Sequence, residues 1–448
     1  MEQENFASYK PGTFVVDLKQ VEPADRFFEP KDMPAIVHEY SHYIQDISTI
    51  SAIMGFSLWM RDVVNLTRIF SSGQDETIAI PMEKDQFGES IGKYRKYYNL
   101  YCGNPDDIFE IDYSLNPFSQ HHFGITEVDL HGEKHVFGVN EIEFSNRPGK
   151  IFFGLIALQE INAYYAQKLA ELRPRNVELS IYADSLASYP YKFGDHIFDV
   201  YNINIDLPTK YVLIDLCLDT VQATSVFWKV LERLRGQSVT FFGSAASDLI
   251  GLVEECRVSC SFSTKDALEN ILPDIRHWAE AEGREYLRSA LGWYYQMIDG
   301  VYLFKSAGRI ERTFFSLPFA MDWQNFARFF QIYPFPVYFK NGALLGNTAC
   351  DGNEDDNAVF KGNFEAASTF WAHRVLYDLL TVENIDQLKK RAHCPLFEGC
   401  TDKEALDEEY VCKTAPWEIV KGKITAPCLY GLAAHSFGLW QNTLDFRV

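Results

Sequence analysis

The segment Ala35-Ile36-Val37-His38-Glu39-Tyr40-Ser41-His42-Tyr43-Ile44 constrains the fold more than any other stretch of the chain. Two histidines four residues apart lie one above the other on an α-helix, with Glu39 rotated by about 100° from His38. Apart from His38, Glu39 and His42 the segment is uncharged, whereas a solvated helix face would carry Lys or Arg. The helix is therefore expected to be buried around its imidazoles, and buried imidazoles need partners. A metal ion supplies one. Two neutral rings can hold it while the adjacent carboxylate reaches a water beside it.

The remaining chain must bury that helix. Its 448 residues predict two or three domains, and 47% hydrophobic with 15% aromatic residues supply packed cores instead of long disorder. With 62 acidic against 41 basic residues the formal charge is -21, which argues against nucleic acid and anionic membrane as partners. The opening residues MEQENFASYK lack the basic start and apolar core of a secretory leader, and no stretch reaches eighteen uninterrupted apolar residues. A cytoplasmic protein without a membrane span is expected. Nine widely spread cysteines are expected to be reduced thiols.

A strand is expected over Thr13–Leu18, followed by turns at Pro23 and Pro30. Asp32 can cap the histidine helix, with Pro34 in its first turn. Apolar residues recur at helical spacing from Ile36 to about Phe70, with a break expected near Gly55. Alternating residues on both sides of His131-Gly132-Glu133-Lys134 predict a hairpin within 105–145. Helical patterns cover Lys150–Leu172, Tyr211–Gly236, Asp266–Phe304 and Thr369–Leu380. The acidic run 351–363 opens like a calcium loop. Its sixth and twelfth positions are Asp356 and Gly362 in place of glycine and glutamate, so a solvated loop is expected. These patterns predict an α+β protein, predominantly α-helical, with a small antiparallel sheet followed by a helical region. The segments are 1–205, 206–345, and a cysteine-containing 346–448.

Within that frame AIVHEYSHYI resembles the zincin metallopeptidases, whose extended pattern asks for uncharged residues around H-E-x-x-H. The metzincin continuation is excluded, because Gln45 and Ser48 stand where glycine and a third histidine belong. The gluzincin branch takes a glutamate from a later helix, and Glu160 in LQEINAYYAQ fits, with Ala163 and Ala166 letting two helices approach. Alone in an apolar helix, that carboxylate would be costly without a cation. The resemblance implies a zincin-like catalytic domain, Zn²⁺ held by His38, His42 and Glu160, and Glu39 as catalytic general base. It also implies a peptide or protein substrate lying along an edge strand supplied by the 105–145 hairpin. Other acids and imidazoles in reach of the sequence are Asp46, Asp62, Glu110, Glu127 and the His121-His122 pair, with Asp46 better suited to supporting a ligand than to being one. An oxyanion donor stays open among His121, His122, His131, His135, Tyr164, Tyr182, Tyr189 and His196.

Two other functions are compatible with the residues. One is a catalytically inactive zinc-binding regulatory or interaction protein. The other is a helical binding protein in which the motif is accidental, its two rings meeting only packing residues. Cys394, Cys400, Cys412 and Cys428 lack the C-x-x-C pairs of a structural zinc site and are expected to be scattered thiols.

Overall fold

The uncharged run becomes helix α1 (Met33–Ser48), and every residue from Ile36 to Ser48 is buried. The structure, a computed structural model, describes residues 7–18, 33–72, 77–82, 93–104, 107–111, 118–130, 133–144, 149–171, 189–236, 238–239, 246–258, 285–307, 337–340, 343–346, 356–382, 384–391, 394–397, 428–439 and 443–446. Asp32, expected to cap α1, lies outside these residues. Pro34 is in the first turn, where its missing N–H leaves no helical bond unmade.

Helix α2 (Ile50–Ser72) follows after a bend of 78°. The break falls at Thr49 and not near Gly55. Thr49 Oγ1 donates to the Gln45 carbonyl at 2.9 Å and accepts from the Ala52 N–H at 3.4 Å, ending one helix and starting the next. Gly55 instead permits close packing, since a Cβ there would stand 3.2 Å from Cys102 Sγ and 3.4 Å from a methyl carbon of Leu155. Among the described residues no single helix is long and apolar enough to cross a membrane.

Strands β1 (Ala7–Tyr9) and β2 (Val15–Leu18) pair antiparallel, so the single expected strand is half of a hairpin. β2 then runs parallel to β9 (Val337–Lys340), which pairs with β10 (Ala343–Gly346). This four-stranded sheet, gathered from residues 7–18 and 337–346, lies against α1 through β1. β3 (Thr77–Ile80) is parallel to β11 (Thr443–Phe446). Helix α3 (Lys93–Cys102) precedes the expected hairpin, which forms as β4 (Phe118–Leu130) and β5 (Glu133–Phe144) in antiparallel register. β6 (Lys150–Phe152) extends that sheet. The first residues of the helical run expected from Lys150 are therefore strand, and the helix α4 proper is Leu155–Glu171.

The later chain is mostly helical. It contains α5 (Phe193–Val200), the paired strands β7 (Asn204–Ile205) and β8 (Ser238–Val239), α6 (Leu207–Leu218), α7 (Ala223–Leu234) and α8 (Ala246–Val258). Then come α9 (Glu285–Ala307), α10 (Asp356–Leu380), α11 (Ile385–Arg391) and α12 (Leu429–Ser436). The acidic run expected as a loop over 351–363 is helical from Asp356 onward, the opening turns of α10; residues 351–355 lie outside the described ones. The molecule is thus mainly helical with small sheets. Its main buried hydrophobic cluster draws residues from Tyr9 to Leu444 and contains α1 and α4 side by side.

Candidate metal centre

The centre is built where α1 crosses α4. His38 and His42 project from one face of α1 by the four-residue period, with ring centroids 5.0 Å apart. Glu160 comes from the second turn of α4, between Leu158 and Ile161, which are fully buried. Glu160 Oε2 lies 3.1 Å from His38 Nε2 and 3.1 Å from His42 Nε2, and the two Nε2 atoms are 3.3 Å apart. Among the described residues this is the one group of three metal-capable side chains whose donor atoms converge. The His38 and His42 side chains are 7% and 5% exposed and that of Glu160 is 21% exposed, so solvent reaches the group from the Glu160 side.

The distances can be compared with what zinc requires. Ligands at about 2.0–2.1 Å around a tetrahedral ion stand roughly 3.3–3.4 Å from one another. The three observed separations, 3.1, 3.1 and 3.3 Å, come close to that edge without adjustment of either helix. The protonation state fits as well. Burial opposes a charged His42 ring, but the Glu160 carboxylate outweighs it and His42 is pushed up to about 9. Burial also works to raise Glu160, and the two imidazoles overcome it and hold the carboxyl well below its usual range. A divalent cation can take the place of the proton that ring and carboxylate would otherwise share.

Glu39 is 8% exposed. Burial raises its carboxyl above the ordinary value; the rings of His38 and His42 pull it down, and Glu160 and Asp17 push it up again. Its carboxyl feels the charges of both histidines and of Glu160. Tyr9 of β1 lies nearly parallel to the His42 ring, centroids 6.0 Å apart at 13°. The Tyr9 hydroxyl and the Gly12 N–H both donate to Asp46 Oδ2, at 2.7 and 2.6 Å. Asp46 thereby ties β1 down over α1, and burial pushes its carboxyl up to about 6. The supporting hydrogen bond to His42 comes from Gln45, whose Oε1 is 3.2 Å from Nδ1. Sequence spacing offered Asp46 either as that partner or as an ordinary polar helix residue.

Several of the other candidates are elsewhere. Asp62 accepts from the Tyr377 hydroxyl at 2.6 Å. His121 stacks on Trp228 at 3.9 Å with its Nε2 3.0 Å from Asn140 Oδ1, and His122 pairs with Glu143. Glu127 is exposed on β4. Tyr189 stacks on Phe109, and Lys168 lies over the Tyr164 ring. His131 and Tyr182 are outside the described residues. Cys394 and Cys428 are free thiols, and Cys428 Sγ accepts the Gly431 N–H at the start of α12. Among the described residues a second aromatic, Tyr191, absent from the sequence candidates, also reaches the centre. Its ring is 5.6 Å from that of His38, and burial, Glu160 and Glu39 together raise its phenol far above the ordinary value. Nothing in its local sequence marks it.

Comparison with protein-family models, with curated proteins and with solved structures finds no match to the chain.

Proposed function

We propose that the protein is a zinc-dependent peptidase of gluzincin type, acting on a peptide or protein substrate. The observation that carries this reading is the convergence of two imidazole Nε2 atoms and one carboxylate oxygen at 3.1–3.3 Å, with a second glutamate beside them. His38, His42 and Glu160 would hold the ion. Bound there, Zn²⁺ would polarise the scissile carbonyl and lower the pKa of a water to roughly 7. Glu39 takes a proton from the attacking water and returns it to the leaving amine; a buried carboxylate with a raised pKa is a better proton acceptor than an exposed one. Tyr191 would donate a hydrogen bond to the oxygen that gains charge, a role supported by its position against His38 and its coupling to both glutamates. The net negative charge disfavours nucleic acid as an alternative substrate.

The test is Glu39→Gln. Metal analysis should still find about one zinc per chain, while chelator-sensitive cleavage of a broad peptide library disappears. Full hydrolysis by that variant sinks the mechanism. The burial of Glu39 favours one other reading, a zinc-binding regulatory module without turnover. Bound zinc with no cleavage by the wild-type protein would select it.

A further inference from the structure

A directed chain of side-chain amides leads away from the centre. Asn162 Nδ2 donates to the Tyr211 carbonyl at 2.9 Å, Gln45 Nε2 donates to Asn162 Oδ1 at 2.9 Å, and Gln45 Oε1 faces His42 Nδ1 at 3.2 Å. A backbone carbonyl can only accept, so Asn162 must turn its NH₂ to Tyr211 and its oxygen to Gln45. Gln45 must then present its NH₂ to Asn162 and its oxygen to His42. Facing an acceptor, His42 Nδ1 must carry a proton, so Nε2, which points at His38 and Glu160, is the nitrogen whose lone pair is offered to a metal. Gln45 and Asn162 are 2% and 1% exposed, so water does not offer either amide a second choice. Gln45 Nε2 also reaches the Gln159 carbonyl at 3.4 Å, a further reason for it to be the donor end.

We infer that Gln45 and Asn162 are positioning residues that lock His42 in the Nδ1–H tautomer and so aim its Nε2 at the metal. This rests on the metal reading above. The lock spans three helices: Gln45 lies on α1, Asn162 on α4 two residues beyond Glu160, and Tyr211 on α6. One chain of bonds therefore sets the ring tautomer and the approach of the helix that brings the carboxylate. His38 is held differently, because its buried Nδ1 has no partner among the described residues. The two rings are thus unequal, and His42 is the one whose tautomer the protein decides.

The experiment compares zinc affinity, by competition with a chromophoric chelator, in wild type, His42→Ala, Gln45→Leu and Gln45→Glu. Removing a hydrogen-bond partner behind a ligating histidine typically weakens metal binding by about 10–100-fold. Gln45→Leu should lose that much. Gln45→Glu keeps an acceptor facing Nδ1 and should bind zinc at least as tightly as wild type, unlike Gln45→Leu. Asn162→Ala, which leaves Gln45 free to turn over, should shift affinity in the same direction as Gln45→Leu, and it serves if that variant does not fold. Long-range ¹H–¹⁵N spectra of the zinc-loaded wild type should show the His42 proton on Nδ1. Zinc binding lost in His42→Ala but unchanged in Gln45→Leu, or a His42 proton found on Nε2, overturns the lock and leaves the metal reading intact. A wild-type protein that binds no zinc overturns both.

Discussion

Asp62 offers a test of the packing that is independent of the metal. It lies in α2 and is 2% exposed, with Oδ2 accepting from Tyr377 and Oδ1 without a partner among the described residues. Burial pushes its carboxyl from 3.8 up to about 6, against a weaker opposing pull from the Tyr377 hydrogen bond and from Arg95. A carboxyl that holds its proton more tightly folded than unfolded makes the folded state lose stability as pH rises through the window from about 3.8 to 6. At 1.36 kcal/mol per unit the loss is about 3 kcal/mol once pH exceeds both values. Asp62→Asn abolishes it while keeping an acceptor for Tyr377. The new NH₂ occupies the place of the unpartnered Oδ1, a cost that does not change with pH. With 448 residues and an unfolding entropy of about 2.1 cal/mol/K per residue, 3 kcal/mol corresponds to roughly 3 °C in Tm. Calorimetry of both proteins at pH 4 and pH 7.5 is the assay. The variant should gain about 2–3 °C over wild type between the two pH values. An equal difference at both, or a larger gain at pH 4, would refute the claim that this carboxylate is buried at a cost.

Tyr191→Phe should lower kcat for peptide cleavage by about 10²–10³-fold with zinc content unchanged, as loss of one oxyanion donor does; an unchanged kcat removes Tyr191 from the reaction. Gly154, just before α4, abuts the end of α3 so closely that an added Cβ would fall inside 3.0 Å of backbone atoms of Cys102 and Gly103. Backbone cannot yield as a side chain can, so Gly154→Ala should cost about 1–3 kcal/mol and misplace the helix that carries Glu160. Urea unfolding and zinc affinity measured together would show it; normal values for both would exclude a tight α3–α4 junction.

Local chemistry explains how far the sequence could be read. The β4–β5 hairpin announces itself by alternation, and α4 by its apolar run. The front of that run became β6, since pairing with β5 outweighs helix propensity at Lys150–Phe152. The break between α1 and α2 moved to Thr49 because a threonine bonding backwards and forwards ends a helix more sharply than a glycine packed against a neighbour.

What the sequence determined by itself was the shared face of His38 and His42, with Glu39 beside it, because a helix repeats every 3.6 residues whatever surrounds it. Glu160 could be nominated only through the likeness of its helix to a known arrangement. Only the tertiary structure decided that its oxygen stands 3.1 Å from both rings. The same holds for Tyr191 against His38, for Gln45 in place of Asp46 behind His42, and for the sheet that joins β2 to β9. Each depends on residues far apart in the chain, and their separation is fixed by how the whole core packs, which no local period encodes.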